Sequence, residues 1–309
     1  MKYAESQNMK KVSIILTVAL VISAAGLLTR GYTAPAVQET INGEWTAKVN
    51  QTDKGPMLWL SLNRNTDRRK GEFQMNSEIP LQEFTGLNPN ANSNVQFTLS
   101  RDAGAVVFDG FFRDGKGVGD FKFTPNSGFI ATMKKQGYSN GLTTEKLFAM
   151  AILDVSVTFI YELKSIGYDK PELDQLIALR ALGVTIAFAR DAQDWGFGKL
   201  SLNDLIEIKA IGIDPDYAGS MKSLGFNDLS LRKLIELKAL GINGDYINEM
   251  RSVGFENIPM DKLIEMKAMG ITADYVKKMR SLGLKDVSVN ELIQIKAIGA
   301  DKILAREKR

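Results

Sequence analysis

Apolar residues fall along this chain in three textures, and each predicts a different element. Val12 to Leu28 is an uncharged run of seventeen residues behind a segment carrying Lys2, Lys10 and Lys11. Basic then apolar is the order of an export signal. The length suits a cleaved signal, with Ala34-Pro35-Ala36 supplying small residues at a cleavage position, and it also suits a retained membrane anchor. Residues 1–36 are assigned to this segment on either reading.

From Ile41 to residue 126 the runs are short and separated by turn signals. Gly43-Glu-Trp45-Thr-Ala47-Lys-Val49 alternates apolar and polar positions, as a half-buried strand does. Met57–Leu62 is apolar at both parities, which predicts a strand buried on two faces. Glu72–Met75, Val95–Ser100, Ala105–Phe112 and Val118–Thr124 complete six strands, the last two joined across Arg113-Asp114-Gly115-Lys116. Asp-Gly between apolar runs marks a hairpin whose two central residues need positive φ. Six short strands at this spacing predict an antiparallel β sandwich or barrel. Trp45 and Trp59 are its candidate core, or the lining of a pocket. Gly115-Lys-Gly117-Val-Gly119 is rich enough in glycine for a phosphate loop, but it leads into a strand and lacks the helix N-terminus that would hold an anion.

The third texture is periodic. Leu147, Leu176, Leu205, Leu234, Leu263 and Leu292 recur every 29 residues, within units such as Leu234-Ile-Glu-Leu-Lys-Ala-Leu-Gly241. A fixed period of this size predicts stacked helical repeats. Ser156, Thr185, Asp214, Asn243 and Thr272 stand where the second helix of each unit begins, and all are N-cap residues. Gly167, Gly196, Gly225, Gly254 and Gly283 stand at its end; Gly183, Gly212, Gly241, Gly270 and Gly299 end the other helix. Asn126 with Phe129 to Tyr138 matches the second-helix template, so a half-repeat caps the array directly after the last strand, and Asp301 opens a closing half-repeat. The fold class predicted is α+β: a β domain over 41–126, then an α-solenoid of two-helix units over 127–309.

Composition removes most chemistry. The chain of 309 residues has neither histidine nor cysteine. Disulfides, thiolate and imidazole metal sites, cysteine nucleophiles and Ser-His-Asp triads are excluded. No cofactor and no metal is implied, and acid pairs such as Asp214/Asp216 are accounted for by helix starts. Two basic groups are candidate interaction residues. Arg180, Lys209, Lys238, Lys267 and Lys296 form a ladder at the repeat period, with Glu207, Glu236 and Glu265 beside it; Arg64, Arg68 and Arg69 cluster with Lys70 around a polar turn. Each reads as a docking stripe or as a solvated face. Residues 139–309 carry 23 basic and 24 acidic side chains, and a nucleic-acid groove would show a basic surplus. One unit, Leu237 to Ile247, has the two glycines of a helix-hairpin-helix DNA module, but the other units lack the second.

The Gly-x-Trp opening, the Asp-Gly hairpin leading to Phe121-Lys-Phe123-Thr-Pro125, and the Leu-Ile-x-Leu-Lys-Ala-Leu-Gly-Ile units together resemble the extracytoplasmic C-terminal region of bacterial membrane metallopeptidase antirepressors of the beta-lactam-sensor type, and stand-alone exported proteins sharing that region. The resemblance covers residues 41–309. The His-Glu-x-x-His peptidase half is missing, so what it implies is an envelope sensing or interaction module without proteolytic activity. The expectation is a non-enzymatic protein, periplasmic or on the extracytoplasmic face of the inner membrane, that binds another protein through the repeat array and, where the N-terminal segment is retained uncleaved, the membrane through that segment. The alternative is a sensor or carrier that holds a small ligand in the β domain, with the repeats as spacer; a pocket lined by both tryptophans would favour it.

Overall fold

The computed structural model describes residues 40–53, 55–64 and 73–301. The N-terminal segment over 1–36, Lys54, and Arg68, Arg69 and Lys70 of the basic turn lie outside the described residues. Among those described, no helix is long and apolar enough to cross a membrane.

The β region is one antiparallel sheet. Its strands are β1 (Ile41–Thr52), β2 (Gly55–Arg64), β3 (Phe73–Pro80), β4 (Phe84–Thr85), β5 (Ser93–Arg101), β6 (Gly104–Arg113) and β7 (Lys116–Pro125), in the order β3-β2-β1-β7-β6-β5-β4. The predicted hairpin is present, with Asp114 at φ 50° and Gly115 at φ 72°. The end strands do not pair with each other, so the sheet is an open half-barrel and neither the sandwich nor the closed barrel that strand spacing suggests. What completes it is a helix: Phe148 of α2 (Thr144–Leu153) stacks on Phe121 with ring centroids 5.3 Å apart and planes within 4°. Because only the inner face is covered, β2 alternates. Leu58, Leu60 and Leu62 are fully buried, whereas Trp59 is 38% exposed on the other side. The expectation that Met57–Leu62 is buried on both faces is corrected accordingly.

Twelve α-helices are described, nearly all of nine residues. In chain order they are α1 (Ser127–Lys135), α2, α3 (Val157–Ser165), α4 (Leu173–Ala181), α5 (Ile186–Asp191), α6 (Leu202–Ala210), α7 (Pro215–Ser223), α8 (Leu231–Ala239), α9 (Gly244–Ser252), α10 (Met260–Ala268), α11 (Ala273–Ser281) and α12 (Val289–Ala297). Helices this short are marginal alone, and their ends are closely satisfied. Ser156, Thr185, Asp214, Asn243 and Thr272 each accept the N–H three residues on, at 2.8–3.2 Å. Asn126 caps α1 by accepting the Gly128 N–H. The same helices end on left-handed glycines. Phe226 and Gly225, for example, donate to the Met221 and Lys222 carbonyls, the 6→1 and 5→2 pair of a Schellman close. The hydrogen bond that an N-cap at Asp301 would make falls on residues outside those described.

Composition changes at 126/127, but the chain divides into two compact units at 188/189. The first unit holds the sheet together with α1 to α4, because the helices complete the sheet's core. Arg101, at the end of β5, is the joint. Its guanidinium donates to the Ala151 and Ile152 carbonyls at the end of α2 (3.3 and 2.9 Å) and pairs with Glu83 and Asp154. The neighbouring Asp102 accepts the Val157 N–H and so holds the start of α3.

Candidate functional site

Trp45 is the centre of the sheet's inner face, 1% exposed, packed edge-on to Phe97 and Phe108 and against Phe112. Its indole N–H is shared between the Asp109 and Asp120 carbonyls, both at 3.1 Å. A ring can lie this flat across two strands only where they carry no side chains. A Cβ on Gly110 or Gly117 would stand 2.8 or 2.7 Å from the indole, and one on Gly119 only 2.0 Å from the Asp109 carbonyl oxygen. Gly110 and Gly117 therefore clear space for Trp45, and Gly119 lets β7 lie close against β6. Trp59 lies on the opposite face of the sheet, so the two tryptophans line no common pocket.

The cation ladder is not a free stripe. Lys238 lies 4.2 Å from the Tyr217 ring centroid, Lys267 4.2 Å from Tyr246, and Lys296 4.3 Å from Tyr275. Arg180 covers Phe159 and pairs with Asp154 at 2.8 Å. Lys209 is half-buried and engaged as well. Ammonium over an aromatic face is a favourable arrangement, and here each such pair joins residues 21 apart in the chain. The parallel column of Glu207, Glu236 and Glu265 pairs with Arg232, Lys233 and Lys262. Of the basic turn, Arg64 pairs with Glu145 at 3.2 Å.

Two further columns join the units and were not singled out from sequence. The Tyr217 hydroxyl donates to the Ile242 carbonyl at 2.7 Å and the Tyr246 hydroxyl to Ile271 at 2.9 Å. Lys222 reaches back to the Trp195 carbonyl and Arg251 to Leu224. The basic column 222, 251, 280 is visible at the repeat period; which carbonyl it meets is not. Burial raises the pKa of Tyr217 above the usual tyrosine range and pushes Tyr246 up to about 12. These hydroxyls are committed donors and do not exchange protons near neutrality.

A groove of about 960 Å³ within the second unit is open to solvent and lined by charge, including Asp228, Arg232, Lys233 and Asp261. Lys233 sits between Asp261 (2.8 Å) and Glu236 (3.1 Å), which raises its pKa and lowers that of Asp261. Those charges neutralise one another. No group of three or more carboxylates among the described residues could hold a metal ion.

No protein-family model matches the chain, and no curated protein or solved structure matches it either.

Proposed function

We propose that this is a non-enzymatic protein of the bacterial envelope whose helical region is a solenoid of 29-residue units that binds a partner protein, in line with the resemblance to the extracytoplasmic region of beta-lactam-sensor-type antirepressors. The observation that carries the reading is a contrast between columns. Buried and capping positions repeat: an N-cap, an aromatic, a methionine or leucine (Ala192 in one unit), a glycine. One solvent-exposed column at the same period varies, reading Tyr161, Arg190, Gly219, Asn248 and Lys277, beside another in which Asp216, Asp245 and Asp274 recur. An invariant frame that presents a varied surface suits recognition of an irregular partner. The filled core around Trp45 supports this reading over a ligand carrier.

The test is site-specific photo-cross-linking in the envelope from Tyr161, Asn248 and Lys277 of the full chain. The expected outcome is one common partner captured from these positions and not from Lys122 on the sheet. Capture from Lys122 alone would remove the helical array as the binding element.

A further inference from the structure

Of the five exposed large apolar side chains among the described residues, three lie on the outer face of the sheet: Trp59, Phe111 and Val118, the last 61% exposed. An antiparallel sheet with one free face ordinarily turns polar side chains to water there. Strand register sets this face out in rows across β1, β7 and β6. Thr46 lies opposite Val118, and Val118 opposite Phe111. One row towards the hairpin turns, Lys48 lies opposite Lys116 and Lys116 opposite Arg113. One row the other way, Glu44 lies opposite Asp120 and Asp120 opposite Asp109. All nine residues are exposed.

Like charges directly opposite each other across a ladder destabilise a sheet, and this face sets them so in both outer rows. The arrangement becomes favourable under one operation. A two-fold axis lying along the middle row turns the face over and exchanges the outer rows. Lys48 of one copy then stands over Glu44 of the other, Lys116 over Asp120 and Arg113 over Asp109, while Val118 and Phe111 meet their own counterparts. The geometry points to the outer face of the half-barrel as an isologous docking surface for a second copy of this chain. Rows are about 6.7 Å apart and strands about 4.8 Å, so the nine residues form a compact self-complementary patch on β1, β7 and β6, the middle of the convex outer face, where two copies can approach most closely. An anionic membrane surface would meet the basic row but be repelled by the acidic one; a second copy satisfies both.

The chain has no cysteine, so Val118→Cys places a single thiol on the axis. Full-length protein in mild detergent, treated with copper phenanthroline and air as the oxidant, should form a disulfide-linked dimer rapidly through that thiol. Lys122→Cys, two rows beyond the axis, should link at least tenfold more slowly. Lys116→Glu and Asp120→Lys, each added to Val118→Cys, should slow cross-linking about tenfold or more, and the two together should restore it. Lys116→Glu also relieves repulsion from Lys48 and Arg113 within one chain, so thermal melting by circular dichroism should show no loss of folding. Equal linking through positions 118 and 122, or indifference to the charge reversals, would overturn the inference. A monomeric chain that binds phosphatidylglycerol vesicles, and loses that binding with Lys116→Glu, would overturn it in favour of a membrane surface.

Discussion

The sheet and the helical units solve the same problem of burial in opposite ways. In the sheet one side chain, Trp45, is held by strands distant in sequence: its indole N–H reaches carbonyls 64 and 75 residues away, and its ring needs two glycines, Gly110 and Gly117, against it. In the helical region the links span 21 to 27 residues and recur: a tyrosine to a carbonyl, a lysine to a ring, a cation back to a helix end. The first design concentrates stability at one point. The second divides it into increments, none of which is decisive. A cysteine-free chain can use either, and this one uses both.

The contrast is broken most directly at its strongest point. Trp45→Ala should cost about 3–5 kcal/mol, and Gly119→Ala, whose Cβ would enter the backbone of β6, should cost several kcal/mol although it adds one carbon. By comparison Gly212→Ala in the helical region, at φ 74° with open space around it, should cost only about 1–2 kcal/mol for its left-handed backbone. Urea denaturation followed by circular dichroism measures all three. Equal costs for Gly119→Ala and Gly212→Ala would remove the distinction between concentrated and divided stability.

Arg101 tests where the two designs meet. Its side chain is 9% exposed, and Arg101→Met leaves the Ala151 and Ile152 carbonyls and Glu83 without their cation, while Asp154 keeps Arg180. The expected loss is about 2–3 kcal/mol, given that hydrogen bonds to a charged group are worth more than neutral ones. Native-state hydrogen exchange should show faster opening at the end of α2 and the start of α3. A stability change within error would mean that Phe148 alone holds α2 to the sheet.

What the sequence disclosed follows the same division. The caps of the second helices were legible, since from Ser156 to Thr272 the cap and the N–H it accepts are three residues apart and Ser, Thr, Asp and Asn name themselves; Glu172 and Pro259, which open α4 and α10, were not. Alternation and the Asp114-Gly115 turn located six strands; Phe84–Thr85 is too short to carry a period. Whether the sheet closes on itself was not legible, because that depends on Phe148 reaching Phe121. The same distance explains Trp59: Met57–Leu62 is apolar at both parities, and only the position of α2 decides which parity is covered. The lysine ladder was visible as a column, but a period shows which columns exist and not which of them meet, so its aromatic partners were hidden.

Alkaline pH should act on the helical region through its tyrosines. Burial raises Tyr246 to about 12, and burial together with Asp301 does the same for Tyr275. The folded state thus holds these protons more tightly than an unfolded chain, in which tyrosine titrates near 10. The resulting stability is complete below about pH 10 and is lost as pH rises towards about 12, because the unfolded state ionises first. Tyrosinate absorbance should lag behind that of a free tyrosine and then rise together with loss of helical circular dichroism. Titration of every tyrosine near 10 with the helices intact would show that the ladder hydroxyls are not held as the structure has them.

The smallest effect is the sharpest comparison, because it sets two members of one column against each other. Tyr246 donates to the Ile271 carbonyl, so Tyr246→Phe leaves a buried carbonyl without its donor and should cost about 1 kcal/mol. Tyr275 occupies the same place 29 residues on and carries Lys296 over its ring, yet its hydroxyl has no hydrogen-bond partner among the described residues. Tyr275→Phe keeps the ring and removes a group that gains nothing from burial, so it should be neutral. If stability in the array is a sum of links between neighbouring units, the two substitutions differ by the full worth of one hydroxyl bond. Equal losses for both would mean that the phenol contributes through its ring and its lysine alone, and that the carbonyl bond adds nothing to the joint between units.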